Sequence, residues 1–404
     1  MWRLIILFIF LNNVFAQEEE KTRLVFTSDG GVIGTKYWDG DFYEFFSVPY
    51  AEAPTGRDRF QAPLPVKPWK QPFPAKDKNI VCHQSYFTDE DDDFILNGDE
   101  DCLVMNLFVP EIASEDNLLP VIVYVHSGAF SGGNGNMARF HFLARHDLVV
   151  ISFNYRLGAI DPIATAKNLA YAMGYNGTGN LNDLTEFYLE ASVEDLTAKS
   201  LNFFLPNSTF GFAPCIENVH DGIEPFLTES PYDILKKGQA KKIPMLIGFA
   251  NMEGISRTIK FGEWRDRMTE DFTEFLPADL AFDSEKSRQD LIKVVKERYF
   301  KGNEVTHDKI QGYVDYFSDA MFKYSIMRSL RLHAASSRSP IYVFEFSYVG
   351  KLNMEHNYMD RIKGASHRDQ TAYMLDFYGW TNSYRDLDMR DRLTTMWTDF
   401  AKYG

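Results

Sequence analysis

The sequence predicts an α/β fold in which a mostly parallel central sheet carries helices on both faces. Residues 120–125 and 148–153 are apolar at nearly every position, a pattern typical of strands that are buried on both faces of a sheet. Further strands are predicted over 243–248 and 341–346, and long segments with helical patterning separate them. Because no linker or repeat interrupts the chain, residues 17–404 are predicted to form a single domain.

The segment before the first buried strand is predicted to contain short strands and turns. Apolar residues at 24–26 and 45–50 indicate strands. Gly30 and Gly31 indicate a turn between them, and the proline-rich stretch 53–74 is predicted to be irregular. Three later segments have the pattern of helices: 290–300, 312–334 and 390–400.

The composition is that of a globular protein with a large core. The chain has 404 residues, of which 45% are hydrophobic and 25% charged, so disorder, collagen-like repeats and a disulfide-knot scaffold are excluded. The formal net charge of −15 argues against nucleic acid as a partner, because a polyanion would be repelled.

The amino terminus has the pattern of a secretory signal peptide. Arg3 precedes an apolar run over 4–11, and Ala16 ends the segment before an acidic stretch. The alternative is a membrane anchor, which needs about 20 apolar residues, and no other stretch is long or apolar enough. We therefore expect residues 1–16 to be a leader and the protein to be secreted and extracellular, without a membrane span.

Secretion makes disulfide bonds possible for the three cysteines. Cys82 and Cys102 flank the acidic run 89–93, a loop that a disulfide could close. The acidic run itself is predicted to be a solvated loop, since it lacks the glycine and the distal glutamate of an EF-hand. Cys215 remains over and is predicted to be a buried, inert thiol.

Other local motifs concern glycosylation and metal binding. The sequons that begin at Asn176 and Asn207 are predicted to carry glycans if they are exposed. The nine histidines show no HExxH spacing and the cysteines no CxxC spacing, so we expect no metal and no other cofactor.

Candidate site residues follow the ends of the predicted strands, where ligands of parallel sheets bind. The strand 120–125 leads into the glycine-rich segment 126–133, whose backbone amides could face a ligand as in an oxyanion site, although a plain turn is the alternative. Glu253 follows the third buried strand and His367 the fourth. This order matches the acid and the base of a nucleophile, acid, base triad.

Together these motifs resemble the type-B carboxylesterase and cholinesterase family of the α/β-hydrolases, and insect carboxylesterases most of all. The resemblance extends from about residue 24 to the end of the chain. The matching segments are 47–51, 100–103, 125–130, 154–158, 253–254 and 364–367.

The resemblance implies an α/β-hydrolase fold and a secreted carboxylic ester hydrolase that acts on a small apolar ester through an acyl-serine. It implies that Glu253 is the triad acid, that His367 is the base, and that Gly128 and Ala129 supply oxyanion-hole amides.

The resemblance also implies contacts near the amino-terminal sheet. By that likeness, Cys82 pairs with Cys102, and Arg59 forms an ion pair with Glu100.

The family's nucleophile is missing from the sequence. Relatives carry a serine in a G-x-S-x-G turn, and the 404 residues contain no such spacing. Residues 128–132 and 364–367 place a serine near glycine, but in the wrong register. We therefore expect this sequence to lack the catalytic serine.

The position of the gap follows from the order of the motifs. After 154–159 the family continues through a helix, a strand that ends in the nucleophile turn, a second helix and another strand. Here the chain passes from Ile160 to 161–170, which resembles a later segment of the family. We expect an internal deletion that removes central strands, and the chain also ends early relative to its family. Arg156 would then lose its acidic partner.

Two functions are compatible with these features. The first is a carboxylesterase whose sequence, as an incomplete gene model or splice form, is inactive because the nucleophile segment is missing. The alternative is a non-catalytic binding or adhesion protein on the hydrolase fold, which holds an apolar ester or a partner's surface. In either case we expect poor secretion or aggregation, because neighbours of the missing strands lose backbone partners.

Overall fold

A computed structural model describes most of the chain after the predicted leader. The described residues are 21–87, 94–158, 163–199, 205–207, 213–217, 219, 225–302, 304–376 and 381–404. The predicted leader over 1–16 and the acidic run 89–93 lie outside them.

Helices separate the two strands in the second half of the described chain, as in other α/β folds. The strands of the described residues are β1 Thr22–Thr27, β2 Gly30–Lys36, β3 Phe42–Pro49, β4 Phe73–Pro74, β5 Gln84–Phe87, β6 Phe94–Asn97, β7 Val104–Pro110, β8 Val121–Val125, β9 Val149–Phe153, β10 Met245–Ala250 and β11 Ile341–Phe346. The helices are α1 His141–Ala144, α2 Ile163–Ala172, α3 Leu181–Glu190, α4 Val193–Lys199, α5 Pro231–Lys236, α6 Phe261–Glu270, α7 Glu285–Phe300, α8 Ile310–Phe317, α9 Tyr324–Ser336, α10 Asp369–Met374 and α11 Tyr384–Tyr403.

The strands form one large mixed sheet and two small ones. The large sheet has the order β1-β2-β3-β7-β9-β8, with β4 beside β2. Its strands pair antiparallel from β1 to β9, and β8 pairs parallel with β9. Strands β10 and β11 form a separate parallel pair, and β5 and β6 form a hairpin. The predicted α/β fold is confirmed, but the sheet is mixed rather than mostly parallel because short connections join its first strands.

Strand β8 differs from its prediction in burial. Val121, Val123 and Val125 are 53%, 55% and 61% exposed, so burial on both faces is wrong for this strand. The three valines are alternate residues and therefore lie on one face of the sheet, which is left uncovered at β8. The strand also ends the sheet, since no strand in the described part of the chain pairs with its other edge. On the opposite face, Val150 of β9, which pairs with Ile122, is fully buried.

Most predicted elements occur, with shifted bounds. Strand β11 has its predicted bounds, whereas β10 starts two residues late. The predicted turn at Gly30 and Gly31 is wrong, because both residues belong to β2 and the turn lies at 28–29. The helix predicted over 312–334 is three consecutive segments, α8, a π-helical turn Ser318–Lys323 and α9.

The largest apolar cluster lies beside β10 and supports the segment that follows it. Phe261 and Trp264 of α6 pack there against Phe275 and against Tyr313 and Phe317 of α8. All five side chains are almost fully buried. The segment after β10 therefore rests on a packed helical layer.

Candidate functional site

The predicted acid and base meet in the structure. Glu253 opens a 3-10 segment, Glu253–Lys260, directly after β10, and His367 lies just before α10. The His367 Nδ1 and the Glu253 Oε2 are 2.7 Å apart. Glu253 is 3% exposed, and the His367 side chain is 39% exposed. A buried carboxylate is thus hydrogen-bonded to one ring nitrogen of an imidazole that remains partly exposed.

The carboxylate of Glu253 is fixed at both oxygens. The backbone N–H of Ala250 donates to Oε1 at 2.7 Å, while His367 occupies Oε2. Because an ionised carboxylate only accepts hydrogen bonds, His367 donates from Nδ1 and its Nε2 is left as the acceptor. This is the tautomer that a general base requires.

The residue after Glu253 fits only as glycine. A Cβ on Gly254 would lie 2.2 Å from the carbonyl oxygen of Val314. The Gly254 N–H donates to Ser318 Oγ at 2.9 Å, and the Ser318 hydroxyl donates to the Val314 carbonyl at 2.7 Å. The segment 251–254, here called the acid loop, therefore packs directly against the junction between α8 and the π-helical turn.

Two hydrogen bonds join the acid loop to the segment 364–368, here called the His367 loop. The Ala365 N–H donates to the Asn251 side-chain Oδ1 at 2.8 Å, and the Met252 N–H donates to the Ala365 carbonyl at 3.0 Å. One backbone bond and one side-chain bond therefore position the two loops against each other.

Sequence reasoning missed Asp369, a buried carboxylate two residues after His367. It accepts hydrogen bonds from the Ser366 N–H at 2.6 Å, the Met354 N–H at 2.8 Å and the Asn353 side-chain amide at 2.8 Å. Burial raises the pKa of Asp369, and these three bonds oppose that shift. Asp369 closes the turn that presents His367.

The predicted oxyanion residues lie in a strained loop, here called the glycine loop, residues 127–133. Gly128, Ala129 and Phe130 all have positive φ, at 127°, 53° and 59°. The Gly128 carbonyl accepts the N–H groups of Ser131 and Gly132, both at 3.0 Å. Within the described residues, the N–H groups of Gly128 and Ala129 donate no hydrogen bond, so both are open to an acceptor.

Gln84 of β5 anchors the glycine loop and was not anticipated from sequence. Its amide accepts the Gly133 N–H at 2.7 Å and donates to the Gly133 carbonyl at 3.0 Å. The Gly158 N–H also donates to the Phe130 carbonyl at 2.8 Å. Because β5 was not predicted, Gln84 went unnoticed. Its position two residues after Cys82 was the available signal.

His126 supports the glycine loop, and its Nδ1 lies 2.8 Å from the Ser127 carbonyl oxygen. Its ring stacks on Tyr155 with centroids 4.1 Å apart, and the Tyr155 hydroxyl donates to the His126 carbonyl at 2.8 Å. Burial lowers the pKa of His126, and the positive charge of Arg368 lowers it further.

A backbone bridge connects the two parts of the site. Arg139 and Asp376 exchange hydrogen bonds of 3.2 and 3.1 Å, which ties the chain after the glycine loop to the end of α10. The guanidinium of Arg390 on α11 lies 3.9 Å above the ring of Phe142 on α1. These contacts tie the segment after the glycine loop to the region of α10 and α11.

The predicted disulfide and ion pair are both confirmed. Cys82 and Cys102 are bonded. Arg59 Nε donates to Glu100 Oε1 at 2.6 Å, and the Gly56 N–H donates to the other oxygen at 2.8 Å. The amino-terminal segment is thereby attached to the disulfide loop.

The remaining predicted residues have mixed outcomes. Cys215 is unbonded but half-buried, so the buried thiol is wrong. Asn176 is exposed and Asn207 is half-buried, while the rest of the second sequon lies outside the described residues. Arg156 pairs with no carboxylate in the described ranges and donates instead to the Gln61 carbonyl at 2.7 Å.

No helix in the part of the chain that the structure describes is long and apolar enough to cross a membrane.

Comparison with sequence families gives one match. The family described as the carboxylesterase family matches residues 21–163 and 159–404. The two matched segments meet at 159–163, directly after the motif 154–158. Together they include almost the whole described chain.

Individual relatives and a solved structure agree with that match. Venom carboxylesterase-6 of Apis mellifera is 25% identical over 509 residues, covering 100% of this chain and 90% of the relative. Juvenile hormone esterase of Tribolium castaneum is 25% identical, covering 94% of this chain and 83% of the relative. The crystal structure of juvenile hormone esterase from Manduca sexta shares the fold, with a TM-score of 0.76 at 22% identity, covering 95% of this chain and 90% of that one.

Proposed function

The chain belongs to the carboxylesterase family, and from this premise we propose that it retains the acid and the base of an ester-hydrolysing site but has lost the serine nucleophile. In this form it is inactive. The observation that carries the proposal is the hydrogen bond between Glu253 and His367, in a chain without any G-x-S-x-G spacing.

The active parent of this chain would cleave a small apolar ester through an acyl-serine. His367 would accept the serine proton at Nε2 and later deliver it to the leaving alcohol, while Glu253 holds Nδ1 and stabilises the imidazolium. The N–H groups of Gly128 and Ala129 would stabilise the tetrahedral oxyanion. Water would then release the acid by the same proton transfers.

Three observations support an internal deletion after the motif 154–158. The family matches the chain in two segments that meet at 159–163. The alignment with the honeybee relative extends over 509 residues although the chain has 404, so about a fifth of it has no counterpart here. Strand β8 ends the large sheet with three exposed valines, and β10 and β11 pair separately.

The loss of the nucleophile has a large kinetic cost. Removing the nucleophile from a serine hydrolase lowers kcat by about six orders of magnitude. The amide after the nucleophile, a further oxyanion donor, would be lost with it. The acid–base pair alone therefore leaves no covalent route.

A graft tests this proposal directly. The segment of the Apis mellifera relative that lies opposite the gap is inserted between Ala159 and Asp161, with and without His367→Ala. Hydrolysis of 4-nitrophenyl acetate is then measured. We expect activity only in the graft that keeps His367, because the native acid and base then act on a supplied serine. If the ungrafted chain turns over at a comparable rate, the proposal is wrong.

The origin of the gap is a separate question with its own test. Sequencing the transcript across the codons for Ala159 and Asp161 distinguishes a gene-model gap or splice form from a true deletion. An additional exon encoding G-x-S-x-G supports an active parent. A contiguous genomic reading frame would indicate a true deletion.

The alternative function is non-catalytic binding or adhesion on the same fold. It is favoured by a cavity of about 260 Å³ beside the glycine loop at Ser131 and Gly158, which neither Glu253 nor His367 lines in the described chain. The full chain would then bind an apolar ester without turnover. Equilibrium dialysis against a naphthyl ester, with product measured in the same sample, separates this function from catalysis.

The proposal also includes the processing of the chain. We propose that 1–16 is removed on secretion, that 17–404 forms one domain, and that Asn176 and Asn207 are glycosylated. Intact mass of protein from an insect-cell medium, before and after glycosidase treatment, tests all three. We expect a low yield of secreted protein because exposed strand edges favour aggregation.

A further inference from the structure

The cavity beside the glycine loop lies between the disulfide region and helix α4. Its walls include the Cys82–Cys102 bond, Leu157 and Gly158 after β9, and Val193 and Leu196 of α4. This combination of apolar walls with a few polar groups is typical of small-molecule sites. The cavity of about 260 Å³ has room for a ligand of roughly ten non-hydrogen atoms, given about 30 Å³ for each water molecule.

Among the residues that the structure describes, Arg156 is the cation of this cavity that pairs with no carboxylate. The side chain is half-buried, and its Nη1 donates to the carbonyls of Gln61 at 2.7 Å and Arg59 at 3.5 Å. Burial lowers the pKa of Arg156, and Tyr50 is the group that opposes this shift. A guanidinium with several donors therefore reaches the cavity with only carbonyl acceptors.

The other charged side chains that line the cavity are hydrogen-bonded, but not all of them are neutralised. Arg59 forms an ion pair with Glu100. Asp99 accepts the Asp101 N–H at 2.9 Å, and Glu217 accepts the N–H groups of residues 226 and 227, so both carboxylates keep their negative charge. Arg156 is therefore the cation of the described lining that is left for an anion, while the charges of Asp99 and Glu217 disfavour a ligand with more than one negative charge.

We propose that this cavity is a binding site for a small organic monocarboxylate, whose carboxylate pairs with Arg156 and whose apolar part contacts Leu157, Val193 and Leu196. Planar, bidentate pairing with a carboxylate is the interaction for which arginine is best suited. The site is separate from the Glu253–His367 pair and does not depend on the proposed ester chemistry.

Titration of the full chain with hexanoate tests the proposal. Methyl hexanoate and hexylammonium serve as neutral and cationic analogues, and binding is followed by isothermal titration calorimetry. We expect hexanoate to bind saturably and the two analogues not to bind. Arg156→Gln should weaken it at least tenfold, because a charge-assisted pair is lost. His367→Ala should leave it unchanged, which separates this site from the proposed function.

A second variant and a control protect the test against misfolding. Val193→Phe keeps Arg156 but fills the cavity from α4, and should weaken hexanoate binding at least tenfold. Arg57→Gln removes an exposed arginine that pairs with Glu186 and should have no effect. The proposal is overturned if the folded chain binds no hexanoate, if it prefers hexylammonium, or if Arg156→Gln binds as tightly as the unchanged chain.

Discussion

The loops that carry the acid–base pair and the strand that leads into the glycine loop differ in how far neighbouring elements cover them. The loops that carry Glu253 and His367 rest on buried helices and exchange hydrogen bonds with each other. Strand β8, which leads into the glycine loop, has three exposed valines and an open edge within the described residues.

The comparison teaches that each part of the site is organised by its own surroundings. Glu253 and His367 are positioned by Ala250, Asn251 and Asp369, none of which belongs to the large sheet. The glycine loop is positioned by Gln84 and by its own turn.

The largest expected effect on stability is at Gly254, where the acid loop packs against α8. Gly254→Ala should lower the free energy of unfolding by about 3 kcal/mol, because its Cβ would overlap the Val314 carbonyl in a packed region. Gly128→Ala should cost about 2 to 3 kcal/mol, because its φ is 127° and an added Cβ would lie 1.9 Å from the Gly132 carbonyl oxygen. Urea unfolding measures both.

A matched glycine provides the control for these two changes. Gly262 lies in α6 with no atom within 4 Å of an added Cβ, so Gly262→Ala should be neutral or slightly stabilising. If Gly254→Ala or Gly128→Ala costs no more than Gly262→Ala, the chain around that glycine shifts freely and its close packing does not position that part of the site.

The next effect concerns the turn that presents His367. Asp369→Ala should cost about 2 kcal/mol, because three buried donors lose their acceptor while an unfavourable buried charge is also removed. The His367 ring resonances should shift as its bond to Glu253 loosens. Exposed Asp399→Ala is the control. An unchanged His367 spectrum in folded Asp369→Ala would remove Asp369 as a positioning residue.

A pH effect is expected on the large-sheet side. Burial lowers the pKa of His141 to about 4, with Arg145, Arg390 and Arg139 adding to the shift and Asp376 opposing it. The unfolded chain therefore takes up a proton below pH 6.5 that the folded chain does not, and stability falls as pH falls toward 4. We expect a loss of about 2 kcal/mol from this group between pH 7.5 and pH 5.

Replacing the histidine isolates this effect. His141→Phe keeps an aromatic ring beside Tyr37, which stacks on His141 at 5.8 Å, and removes the titration. Its urea midpoint should change less between pH 7.5 and pH 5 than that of the unchanged chain. An identical pH dependence in both proteins would assign the acid sensitivity to other groups.

The smallest expected effect is on β8 itself. Val123→Thr should change stability by less than about 0.5 kcal/mol because this side chain is half-exposed, whereas Val150→Thr in the neighbouring strand should cost about 1 to 2 kcal/mol. If Val123→Thr costs as much as Val150→Thr, another segment covers this face of β8 in solution.

The sequence predicted those features that an apolar run or a family motif specifies directly. Strand β11, the disulfide and the approach of Glu253 to His367 follow from apolar runs and family motifs. The exposure of β8 did not follow, because an apolar run has the same pattern whether or not its neighbours are present.

The contacts that position the site were less accessible to sequence reasoning. Gln84 and Asp369 act through hydrogen bonds to backbone groups distant in the chain or in irregular loops, and no periodicity marks such residues. The π-helical turn at Ser318–Lys323 breaks a helix whose apolar spacing continues without interruption. Tertiary contacts decided these features.

Covalent labelling tests the central claim most directly. The folded full chain is treated with an organophosphate that phosphorylates the nucleophilic serine of serine esterases and releases its leaving group, and the intact mass of the chain is measured beside that of the grafted chain. We predict no adduct on the full chain and one adduct on the graft. A stoichiometric adduct on a serine of the ungrafted chain would show that Glu253 and His367 already serve a nucleophile, and would contradict the account.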